Sequence, residues 1–411
     1  MKRIMMLALL TGLTCAAWSQ TMKIHRGAVS VAVPVATAGE MTYSAGGTAL
    51  TVQGVTYQIS EIDSITVDRS EVIPNSVNVR YEGNRARVEV SSDVMPHLTI
   101  QATGADVSVT AAADFLEEIY YTLSGRSDDG SFFMEGEFKS TVTLDNLTLT
   151  NADGPAIDIA NGKRIDVIVP DGTTTTLADG AGGTHKACFF VNGHPEFKGG
   201  GELQITGNTK HAFASDEYTR LKDGFGTLRV LKAVGDGLHI EQYFLMQGGN
   251  VIISNTGGDC VDVSITNDPL DEMNGQAIME GGSLKMTVAA DDVKGMKCDS
   301  AMTISGGTIE AGVTGQGAKG LSVGTDLLIQ QKTAVPTSVK MIVTGGTFMP
   351  GDPLLEAKCR GIKVDGNFVF DGGDINITVS NSAAKAINVD GTYTYKSGTI
   401  NCFVDAAQTL P

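Results

Sequence analysis

Carboxylates sit beside glycine at a recurring interval in this chain. Gly235-Asp236 returns as Gly258-Asp259, 23 positions later, and Asp291-Asp292 opens the next unit. Aspartates repeated at such an interval could hold a hard cation. Calcium takes six to eight oxygens, and turn carbonyls beside Asp236, Asp259 and Asp292 could complete its shell. The alternative is turn chemistry, in which an Asp after Gly accepts a backbone N–H. A second series is cationic. The position two residues before an inward apolar residue reads His211, Asp236, Asp259, Lys294, Lys319, Arg360 and Lys385. Lys294, Lys319, Arg360 and Lys385 would form a basic stripe suited to an anionic polymer that presents one carboxylate per sugar. The alternative is that these cations reach carbonyls or Asp side chains at a corner of the chain. Tyr218 and Tyr243 are candidate outward rings for sugar stacking, or else ordinary surface tyrosines. The six histidines show no HxxxH or HExxH spacing, and GxSxG, P-loop and cysteine-nucleophile motifs are absent.

The elements that must position these residues are short strands of period two, broken by Gly or Asn/Asp turns. Turn glycines fall at Gly201, Gly226, Gly249, Gly282, Gly307, Gly346, Gly373 and Gly398, mostly 23 to 27 residues apart. Two longer gaps coincide with Ile265–Gln276 and Asp326–Lys340, read as polar insertions. A unit of about 25 residues cannot bury a face alone but can do so stacked on its neighbours. The expected fold class is therefore all-β, a right-handed parallel β-helix with one coil per unit. A residue recurring once per coil then becomes a ladder with a rise of ~4.8 Å. Like charges at that spacing repel, so solvent, countercharge or ligand must relieve them.

The 411 residues carry 50 glycines and a net charge of −17. The glycine content favours turns, and the acidity argues against nucleic acid as a partner. Lys2 and Arg3, the apolar run Ile4–Ala17 and the Ala17-Trp18-Ser19 site predict an export signal over 1–19, cleaved before Gln20. Lipid anchoring at Cys15 is the rival reading. Cleavage leaves five cysteines, an odd number without CxxC spacing, so neither a disulfide framework nor a zinc site is expected. No later apolar run reaches the roughly 20 residues of a spanning helix. Residues 20–74 read as a small N-terminal β module, weakly tied to the solenoid, with Pro74-Asn75-Ser76 as the boundary. Residues 75–411 read as the solenoid, with Tyr120–Ser124 beginning its first coil.

Several stretches in series resemble the bacterial carbohydrate-binding β-helix family, a right-handed, calcium-containing relative of pectate-lyase folds. They are IYYTLSGRSDDGSFFMEGEFKSTVTLDNLTLTNADGPAIDI, KRIDVIVPDGTTTTLADG, GDGLHIEQYFLMQGGNVIIS and VKGMKCDSAMTISGGTIEAGV. The resemblance covers roughly residues 100–404. It implies binding of acidic and cellulosic polysaccharides, with calcium held by aspartates at the positions of Asp236, Asp259 and Asp292. This chain departs from the family's DDG at KHA (210–212), GDC (258–260) and DDV (291–293). The function expected is non-catalytic binding of a uronate-containing polysaccharide by a protein exported to the periplasm, cell surface or medium. A polygalacturonate-like polymer is the type partner. The other readings are a structural surface protein or adhesin, and a calcium-dependent polysaccharide lyase using a lysine base.

Overall fold

The structure is a computed structural model, described over residues 20–332, 334–352 and 356–404. The expected signal segment and Cys15 lie outside the described residues. Among those described, the chain is all-β, with three single-turn 3-10 segments as its only helices. No helix is long and apolar enough to cross a membrane.

The strands stack in three columns, two of them joined in a 23-stranded sheet and one forming a 12-stranded sheet. The third column runs from Leu98–Thr103 to Lys385–Val389. Its first pair is antiparallel, and every later pair is parallel, each strand bonding to its counterpart one repeat on. Period-two alternation explains the packing. One ladder of this column reads Phe189, Phe213, Leu238, Val261, Met296, Leu321 and Ile362, each at most 2% exposed. At roughly 1.5–3 kcal/mol for each large apolar side chain removed from water, such ladders are the main stabilising term. Phe189, Phe197, Phe213 and Phe225 add edge-on and tilted ring contacts within this core.

The turn glycines do separate work. Gly249, Gly282, Gly307, Gly373 and Gly398 adopt positive φ. A Cβ on Gly282 would sit 2.5 Å from the Gly249 carbonyl oxygen, and one on Gly307 2.7 Å from that of Gly282. The column of turns closes only because these positions lack side chains.

Three details depart from the sequence reading. The parallel ladder begins at Ser76–Glu82, which pairs with Ile119–Ser127, so a strand precedes the coil expected to start at Tyr120. Asp326–Lys340 is not a polar insertion throughout. Leu327–Gln330 is a strand of the core, with Leu327 and Ile329 buried. The extra length lies on either side of Thr337–Val343, part of it in the small hairpin of Thr347–Phe348 and Ala357–Lys358. Ile265–Gly275, by contrast, carries no strand, and Leu270 is 90% exposed. At the N-terminus, Met22, Ile24, Val31, Val33, Leu50, Val52 and Tyr57 form a small core of their own. The backbone nevertheless joins the larger sheet, because Val29–Ala32 pairs in parallel with Val88–Ser91.

Candidate functional site

The register of the 12-stranded sheet places the expected charge series in one line. Lys294 pairs with Lys319, Lys319 with Arg360, and Arg360 with Lys385. Leu238 pairs with Val261 and Val261 with Met296, which brings Asp236, Asp259 and Lys294 into the same file. His211 stands at its head, since Phe213 pairs with Leu238.

The carboxylates of this file bind the backbone of the next coil. Asp236 Oδ1 accepts the Asp259 N–H at 2.8 Å, and Asp259 Oδ1 accepts the Lys294 N–H at 2.7 Å. Asp291 accepts the Gln316 N–H and Asp326 the Asn367 N–H in the same manner. Asp292 differs. It lies at positive φ, and its carboxylate stands 3.7 Å from Lys294 Nζ and 3.5 Å from Lys319 Nζ. Burial pushes the Asp259 carboxyl up to about 6, against the Lys294 N–H and with help from Asp236 and Asp262. Burial also acts to raise Asp236, but hydrogen bonds to His211 and His239 outweigh it and hold that carboxyl well below the usual range.

The expected calcium shell has a poor fit to these groups. Asp236 is flanked by two imidazoles, at 3.1 Å each, and Asp292 by two ammonium groups. A hard cation that seeks six to eight oxygens meets nitrogen donors at the first and competing positive charge at the second.

Three of the four cations donate from their charged heads to carbonyls. Lys294 Nζ donates to the Asp292 carbonyl at 2.6 Å, Lys319 Nζ to that of Gly317 at 3.2 Å, and Arg360 Nη1 to that of Cys359 at 2.7 Å. Burial, and next the neighbouring Lys294, hold the Lys319 ammonium below its ordinary range. Burial lowers Arg360 as well, and this residue is only 9% exposed. Among the described residues, the carboxylate paired with these four cations is that of Asp292 alone. The neighbouring file is neutralised instead. Lys297 pairs with Asp262 and Asp299, and Lys363 with Asp365 and Asp390. Asp299, Asp365 and Asp390 therefore serve Lys297 and Lys363, not the stripe.

The tyrosines need correction. Tyr218 and Tyr243 lie one coil apart, but Tyr243 is fully buried and is not an outward ring. The two rings stack at 4.7 Å, and His194 stacks on Tyr218 at 4.5 Å. Arg220 lies over both tyrosines, its Nε donates to the Tyr243 hydroxyl at 2.9 Å, and its Nη1 donates to Glu196 at 3.3 Å. Ring faces occupied by one another leave no platform for a sugar.

One constellation escaped the sequence reading. His211, Asp236 and His239 offer ligand atoms within 4.8 Å of one another. His211 and Asp236 share the charge file, while His239 stands three residues past Asp236 and stacks on His211 at 4.4 Å and 11°. Motif spacing along the chain could not reveal it, since the two histidines belong to different coils. His239 Nδ1 also lies 3.1 Å from Asp262, whose other oxygen meets Lys297 at 2.8 Å. Burial opposes the charge on His239, yet Asp236 and Asp262 push it up to about 9. The cysteines follow the core: Cys188, Cys260, Cys298 and Cys359 are buried and free, and Cys402 is exposed and free.

Comparison with known proteins adds family and fold. No curated protein matches the chain. One solved structure, described as that of the polysaccharide lyase-like protein from C. thermocellum, gadolinium derivative, is similar at 20% identity and a TM-score of 0.52. The match covers 62% of this chain and 98% of that one, and it speaks for the fold alone. A family model described as carbohydrate-binding domain-containing protein matches residues 103–405, most of the chain and all of the charge file. On that match, the chain belongs to the carbohydrate-binding domain-containing family.

Proposed function

We propose that the protein is an exported, non-catalytic polysaccharide-binding protein built as a right-handed parallel β-helix, and that its ligand is an acidic, uronate-containing glycan. Family membership supports carbohydrate as the ligand class. The successive parallel pairings support the coil architecture. The observation that carries the choice of an acidic glycan is the file Lys294–Lys319–Arg360–Lys385. Four cations align by register, with one paired carboxylate among the described residues. A polymer bearing carboxylates at intervals would relieve the repulsion that this spacing creates. Lys294 and Lys385 are the contacts reached first, and Arg360 acts from beneath them.

Calorimetry with polygalacturonate and with a neutral glucan tests the reading. Binding to the uronate polymer alone, retained in chelator, is expected. Equal binding to both polymers would remove the role of charge, and binding lost in chelator would restore the calcium shell. The lowered Lys319 ammonium is also what a lyase base requires. Release of unsaturated, ultraviolet-absorbing products during the same incubation would replace the binding reading with that one.

A further inference from the structure

The His211, Asp236 and His239 cluster stands apart from the basic stripe and is not used by the proposed glycan contact. Both Nδ1 atoms lie 3.1 Å from the same carboxylate oxygen, Asp236 Oδ2. His211 Nδ1 is also 3.0 Å from the Asp236 backbone N–H, which donates to it. One nitrogen therefore faces a donor and an anionic acceptor at nearly equal distance. If it is unprotonated, its lone pair serves the N–H but abuts an ionised oxygen. If it is protonated, the oxygen is served and the N–H is not. The other ring nitrogen, Nε2, is buried without a hydrogen-bond partner, in a side chain only 5% exposed. Neither tautomer satisfies the ring, which is unusual for a buried polar group.

A cation relieves the clash between the two acceptors, in exchange for the Asp236 N–H contact to Nδ1. Placed between an unprotonated Nδ1 and Oδ2, it separates the two acceptors and neutralises the carboxylate. We propose that His211, Asp236 and His239 form a binding site for a divalent transition-metal cation of the zinc type. Two imidazole nitrogens and one carboxylate oxygen are donors that zinc accepts, with a fourth position left to solvent. They supply too few oxygens for calcium. The rings stand nearly parallel at 4.4 Å, so a cation shared by both must splay His239 from the stack. His239 is the more exposed of the two and has room to move, with a side chain 26% exposed against 5% for His211.

The test is calorimetric titration of the full chain with Zn²⁺ alone, repeated in excess Ca²⁺ and with the His239→Ala and Lys294→Gln variants. One equivalent of Zn²⁺ is expected. It should persist in excess Ca²⁺, be unchanged in Lys294→Gln and weaken at least tenfold in His239→Ala. Because a variant could fail by unfolding, the unfolding midpoint of the unmodified protein is read with and without Zn²⁺ and should rise with it. Absence of Zn²⁺ binding, displacement by Ca²⁺, or full binding in His239→Ala would overturn the assignment. None of these outcomes bears on glycan binding, which is read separately.

Discussion

Replacing Asp259 by Asn should stabilise the protein in neutral solution, because the carboxylate there is ionised against its surroundings. Its pKa is pushed from 3.8 up to about 6, chiefly by burial. A raised carboxyl pKa contributes stability that is fully present below the unfolded value and is lost as pH rises through the folded one. At about 1.4 kcal/mol per unit, the difference reaches ~3 kcal/mol as an upper bound. Partial solvent access reduces the expected gain to ~1–2 kcal/mol. Asparagine keeps an Oδ1 to accept the Lys294 N–H, which the native carboxylate takes at 2.7 Å, so the coil-to-coil contact survives. The assay is the urea midpoint of Asp259→Asn against the native chain at pH 7.5 and at pH 4. A gain at pH 7.5 that shrinks toward pH 4 is expected. Loss of stability at pH 7.5, or the same change at both pH values, would refute the reasoning. A loss appearing only with calcium would show that the carboxylate is a cation ligand after all.

Three other outcomes follow from the geometry. His239 has a profile of the same sign at higher pH, since its folded pKa of about 9 exceeds the ordinary 6.5. Its contribution of ~1–2 kcal/mol is whole below pH 6.5 and vanishes as pH rises through 9, so His239→Gln should flatten the stability curve across that window in metal-free buffer. Gly282→Ala should cost ~1–3 kcal/mol, because the residue sits at φ +82° and its Cβ would meet the Gly249 carbonyl at 2.5 Å; an unchanged melting temperature would contradict this. Lys363→Gln should leave uronate binding intact, since this lysine is already paired with Asp365 and Asp390.

The repeating strands were legible in the sequence because their signals are local. Alternation and turn glycines are read within one repeat, and the like-positioned cations Lys294, Lys319, Arg360 and Lys385 follow once repeats are superposed. What was not legible depends on contacts between coils. Tyr243 reads as an outward ring until Tyr218 and Arg220 of the preceding coil are laid against it. His211 and His239 carry no spacing signal, because the register that unites them is a property of the stack. Leu327–Gln330 falls inside a long gap between turn glycines, and its own signal as a strand is buried alternation, which the glycine interval hides. The aspartates read alike as ligands or as acceptors of N–H groups, and the distances to Asp259 N and Lys294 N belong to the fold and not to the sequence.

The central claim is that the file Lys294–Lys385 recognises a polyanion, and the salt dependence of polygalacturonate binding tests it most directly. Exposed charge contacts weaken as the Debye length falls from about 10 Å at 0.1 M salt to 3 Å at 1 M. The native chain should lose affinity steeply with salt, while the double variant Lys294→Gln, Lys385→Gln should bind more weakly at low salt and with a shallower slope. Native binding that ignores salt, or a variant that keeps both the affinity and the slope, would contradict the account.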